Sequence, residues 1–78
     1  MKAYVESGNV REIVNGQDPL ECVAIAFLRQ ATKEDGLCPG EIYSVSETGF
    51  DSDNDNDVFG LSQPIIDRLV SEGKIGDS

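Results

Sequence analysis

An apolar stripe of helical period runs through DPLECVAIAFLRQATK, residues 18–33, and leaves the rest of the chain few ways to fold. Leu20, Val23, Ala24, Phe27, Leu28 and Ala31 recur at the i, i+3, i+4, i+7, i+8 and i+11 spacing that lines up one side of an α-helix. The stretch carries its own boundaries. Asp18 can accept from the free N–H groups of a first turn, Pro19 has no N–H to lose there, and Glu21 stands where a capping box needs it. Gly36 supplies a stop and Pro39 bars resumption. A helix striped in this way must lie on another element, and the flanking segments have to provide it.

Two β-rich runs precede the helix: KAYVE, 2–6, and VREIV, 10–14. A two-residue turn at Gly8-Asn9, residues that both tolerate positive φ, joins them as a hairpin. That register sets Glu6 against Arg11 and Tyr4 against Ile13, and places Ala3, Val5 and Val14 beneath the helix with Glu12 at their edge. After the helix, EIYSVS, 41–46, reads as a third strand. TGFDSDNDND, 48–57, is polar and low in complexity and reads as a mobile acidic loop, with Val58-Phe59 as a short extension of the sheet or an anchor. Ser62 as cap and Pro64 in the first turn open a second helix, in which Ile65, Ile66, Leu69 and Val70 form one apolar arc. Gly73 ends it, and Ile75 folds back over it.

A right-handed crossover through the first helix, with the first strand placed between the second and third, makes both strand pairings antiparallel. The predicted fold is therefore one α+β domain over residues 1–78, ββαβα, with a three-stranded antiparallel sheet in the order 2-1-3. Both helices cover one face. The other face, with Tyr4, Glu6, Arg11 and Ile13, stays open to water or to a partner.

Fifteen acidic residues against six basic ones give a net charge of −9, which excludes direct nucleic-acid binding because that requires a basic footprint. No run approaches the roughly 20 apolar residues of a membrane span. MKAYVESGNV lacks the apolar core of a secretory signal, so a cytoplasmic location without a membrane partner is expected. Cys22 and Cys38 flank the ends of the helix and read as free thiols rather than a disulfide. With no histidine and no CxxC, zinc is not expected. Catalysis is not expected either. Cys22 has no base to activate it, no Gly-rich phosphate loop is present, and 78 residues scarcely wall off a cleft.

Two constellations remain. Asp51, Asp53 and Asp55 occupy positions 1, 3 and 5 of a calcium loop, and Asp57 extends the run. Position 6 is Asn56 instead of glycine, and position 12 is Ser62 instead of a bidentate glutamate, so a weak Ca²⁺ site is the most this stretch could form; no other cofactor is indicated. The second constellation is a surface. Cys22, Ile25 and Ala26 widen the apolar side of the helix beyond what one sheet face needs, Tyr4 and Ile13 add apolar area on the open sheet face, and Glu47, Asp51 and Asp53 supply a charged margin. These residues point to a non-catalytic, regulatory protein-interaction module. Its acidic loop would act as the electrostatic handle for a basic protein partner, and self-association is compatible with the same surface. The alternatives are an acidic mimic of nucleic acid that inhibits a nucleic-acid-binding protein, and a weak Ca²⁺-binding module.

Overall fold

A computed structural model of the chain describes residues 1–49 and 57–75. The elements are β1 (Lys2–Ser7), β2 (Val10–Asn15), α1 (Pro19–Ala31), β3 (Ile42–Ser46), β4 (Val58–Leu61) and α2 (Gln63–Ser71). They form a small α+β domain in which one antiparallel sheet, in the order β2-β1-β3-β4, carries two helices.

The expected order 2-1-3 is present, but the sheet has four strands, not three. Val58–Leu61 pairs along its whole length with β3, Ile42 opposite Leu61 and Val45 opposite Val58. Only VFGL marks this strand in the sequence, and it includes a glycine. Its pairing depends on β3 having a free edge beside it, which is a tertiary circumstance.

The hairpin has the expected register, with Glu6 opposite Arg11 and Tyr4 opposite Ile13. Gly8 takes a φ of 57° while Asn9 stays at negative φ, the pattern of a type II′ turn. Gly8 is also pressed against the loop that follows α1, where an added Cβ would lie 2.3 Å from the Cys38 carbonyl oxygen. Asn9 holds the same loop: its side-chain oxygen accepts from Cys38 N at 3.0 Å and its own N–H donates to the Cys38 carbonyl at 3.1 Å.

Asp18 caps α1 by accepting from Glu21 N at 2.8 Å, with Pro19 in the first turn. The helix is turned from the expected orientation. Its buried line is Cys22, Val23, Ala26, Phe27 and Gln30. Leu20 is 49% exposed, and Ala24 and Leu28 are half-buried towards α2. Two surfaces compete for this helix. The small side chains of Cys22 and Ala26 permit close approach to the sheet, while the Leu20–Ala24–Leu28 line is left for α2. Gln30 is buried without penalty because its amide donates to the Gly36 carbonyl at 3.0 Å.

Ser62 precedes α2 but makes no side-chain cap. Its hydroxyl instead meets that of Ser7 at 3.0 Å inside the core, and Ser7 Oγ also donates to the Ile42 carbonyl at 3.0 Å. Gly73, at a φ of 72°, closes α2 in a Schellman arrangement, with Lys74 N donating to Leu69 O at 2.9 Å and Gly73 N to Val70 O at 3.0 Å. Ile65 and Leu69 join Ala3, Val5, Val10, Val14, Tyr43 and Val45 in one core, so both helices cover the same sheet face. Ile75 packs against that core.

Candidate functional site

Strand pairing assigns every side chain to a face, because residues directly opposite one another share it. Ala3, Val5, Ser7, Val10, Val14, Tyr43 and Val45 point to the helices and are buried. On the outer face, Ile13, Tyr4 and Ser46 form one row across the sheet. Arg11, Glu6, Ser44 and Phe59 form the next, and Ile42 with Leu61 the last. Neither α1 nor α2 lies over these rows.

Four of the exposed large apolar residues belong to this face: Ile13 at 48%, Ile42 at 54%, Phe59 at 66% and Leu61 at 58%. Phe59 and Leu61 are two apart on β4, and Ile42 is opposite Leu61, so these three are neighbours. Beside them Glu6, Ser7, Gly8, Tyr43 and Ser44 line a depression of about 260 Å³ with Ile42 and Phe59. The β1–β2 half is more polar. Arg11 faces Glu6 at 3.7 Å and the Lys2 ammonium lies 5.6 Å from the Tyr4 ring centroid.

The two sheet edges differ. Ser62 N donates to Glu41 O at 3.0 Å, which fixes the alternation of the adjoining ladder: Val58 and Gly60 turn their backbone groups towards β3, and Phe59 and Leu61 turn theirs away. On β2 the same alternation turns Ile13 outward, but Arg29 of α1 donates to the Ile13 carbonyl at 3.1 Å and Lys33 pairs with Glu12 at 2.9 Å. The β2 edge is therefore guarded by α1 and by Lys33 just beyond it, and among the described residues nothing guards the β4 edge.

Tyr4 and Ile13 stand on the outer face as expected. Cys22 and Ala26, expected at the surface, are fully buried, because the turned α1 directs them at the sheet. Ile25 is half-buried in a groove of about 390 Å³ between α1 and α2, lined also by Leu20, Leu28, Arg68 and Glu72. Glu47 is exposed just after β3. Asp51, Asp53 and Asp55, and the mobile-loop reading of 48–57 across residues 50–56, lie outside the described residues. Asp57, which is described, has one buried carboxylate oxygen that accepts no hydrogen bond. Among the described residues no three His, Cys, Asp or Glu side chains converge as a metal would require.

Ile42, Phe59 and Leu61 were missed as surface residues. The alternation of Ile42 with Tyr43 and Val45 carried the signal for the first; for β4 the face follows only from the pairing with β3. Both cysteines are free, Cys22 buried and Cys38 exposed. Burial pushes the Cys22 thiol up, Glu21 and Asp18 add to the shift, and the Met1 amino group opposes it. No helix of the described residues is long and apolar enough to cross a membrane. Compared with protein-family models, with curated proteins and with solved structures, the chain matches none.

Proposed function

We propose that this chain is a non-catalytic interaction module that binds a partner protein with the outer face of its sheet, in a reducing, cytoplasmic setting. One observation carries the reading: Ile13, Ile42, Phe59 and Leu61 are exposed on the sheet face that neither α1 nor α2 covers. Of these, Ile42, Phe59 and Leu61 adjoin one another, and contiguous exposed apolar area of this kind marks contact sites. The acid-rich stretch before β4 acts as the electrostatic handle, speeding encounter with a basic surface and adding little to the docked complex.

The test is affinity capture from the source cell with the intact chain, followed by the same capture with Phe59→Ser and Leu61→Ser combined. The double substitution should abolish capture, while Leu20→Ser, at an exposed residue that lines the α1–α2 groove, should leave it intact. Capture that survives the double substitution and is lost with Leu20→Ser would move the binding surface to that groove.

A further inference from the structure

The geometry points to an added strand: the free edge of β4 takes an extended segment of the partner, with lysine or arginine alternating with apolar residues, as the fifth strand of the sheet. This rests on the partner-binding reading above and specifies how the partner docks.

The backbone is the first reason. Phe59 and Leu61 direct N–H and C=O away from β3, and no hydrogen bond to these groups is formed within the described residues. Such a row is a template for a further strand unless something blunts it. The β2 edge shows what blunting looks like in this molecule, since Arg29 occupies the Ile13 carbonyl and the Lys33–Glu12 pair stands alongside. Among the described residues the β4 edge has no such device.

The side chains are the second reason. Phe59 and Leu61 expose apolar surface at the same edge, with Ile42 beside them, so alternate residues of an added strand would bury it. A four-residue strand turns only two residues outward. Main-chain bonds worth about 0.5–1.5 kcal/mol each therefore cannot hold a partner alone, and these side chains have to contribute.

Charge selects the occupant. No lysine or arginine occurs between Lys33 and Arg68, the stretch that supplies both β3 and β4. Glu41 stands at one end of this strand pair, with Asp57 and Glu47 at the other. The outer-face bases Lys2 and Arg11 lie on the β1–β2 half. A basic segment is attracted to such an edge. A second copy of this chain, carrying −9 itself, would set its own strand pair, flanked by the same acids, against the first.

Residue-resolved amide hydrogen exchange on the full chain tests this, using a capped peptide of about six residues alternating lysine and valine, and a glutamate–valine counterpart. The lysine peptide is expected to slow exchange at Phe59 and Leu61 about tenfold, with little change at Val58 and Gly60, whose groups already face β3; the glutamate peptide is expected to do nothing. Leu61→Pro removes an outward N–H without breaking a bond to β3, so it weakens the lysine peptide by about 3- to 10-fold, while Leu61→Val does not.

Equal effects of the two peptides, protection at β2 instead of β4, or unchanged binding by folded Leu61→Pro would overturn the proposal. So would protection of Phe59 and Leu61 that rises with protein concentration alone, which would make a second copy the occupant. The exchange pattern of the unsubstituted protein decides the matter even where Leu61→Pro does not fold. Loss of capture with the Phe59→Ser and Leu61→Ser pair, without protection of the β4 edge, would leave the contact face standing and remove only the added strand.

Discussion

Cys22 and Cys38 are the same residue type in opposite circumstances: the first lies under the hairpin end with Sγ 4.0 Å from the Met1 carbonyl oxygen, the second is exposed. Thiol labelling without denaturant should therefore modify Cys38 promptly and Cys22 only as fast as the protein opens. Equal rates at the two positions would contradict the burial of Cys22. The raised thiol pKa has a pH consequence. A thiol whose folded-state pKa is raised above its ordinary value contributes stability that is present below that ordinary value and lost as pH rises through the folded pKa. The urea midpoint should thus fall between about pH 8 and about pH 10, and fall less in Cys22→Ala. Gly8 is as constrained as Cys22. Its positive φ and its contact with the Cys38–Gly40 backbone mean that Gly8→Ala should cost more than about 1 kcal/mol.

Among the elements, α1 decides most of the packing, and its rotation is directly testable. Phe27 is completely buried and Leu20 is half exposed. Phe27→Ala should destabilise by about 3–5 kcal/mol, whereas Leu20→Ala should cost well under half of that. Ala26 lies against the sheet with no exposed surface, so Ala26→Leu should overpack the core at a cost of about 1–3 kcal/mol. Chemical denaturation measures all three. A loss at Leu20 equal to that at Phe27 would mean that the Leu20–Leu28 stripe, not the Cys22–Gln30 line, faces the sheet.

For the whole molecule, the uneven distribution of charge matters more than the total of −9. If the stretch before β4 steers a basic partner, replacing Asp51, Asp53, Asp55 and Asp57 with asparagine should slow association and flatten its salt dependence while the dissociation rate stays similar. An unchanged association rate at low ionic strength would reduce the stretch to an aid to solubility. The same aspartates set a limit for Ca²⁺, whose binding by calorimetry should be no tighter than about 10⁻⁴–10⁻³ M. Micromolar binding that disappears with Asp53→Asn and Asp55→Asn would make a metal the primary ligand.

Local signals were sufficient for much of this fold. The Asp18 cap, the Gly8-Asn9 turn, the hairpin register and the Gly73 stop each depend on a few consecutive residues, so they are legible without knowledge of the neighbours. Tyr4 and Ile13 followed from the same register and stand on the open face. Tertiary structure decided the rest. α1 has two partners, and a hydrophobic period shows that a helix has an apolar side without showing which part of it meets the sheet and which meets α2. Cys22 and Ala26 went inside because small side chains let the helix approach the sheet. β4 exists as a strand because β3 offers it an edge, and Ser62 left its cap because Ser7, 55 residues away in sequence, brings a hydroxyl within 3.0 Å. The apolar cluster of Ile42, Phe59 and Leu61 depends on that same pairing, since the two strands come from opposite sides of the acid-rich stretch and no local period joins them.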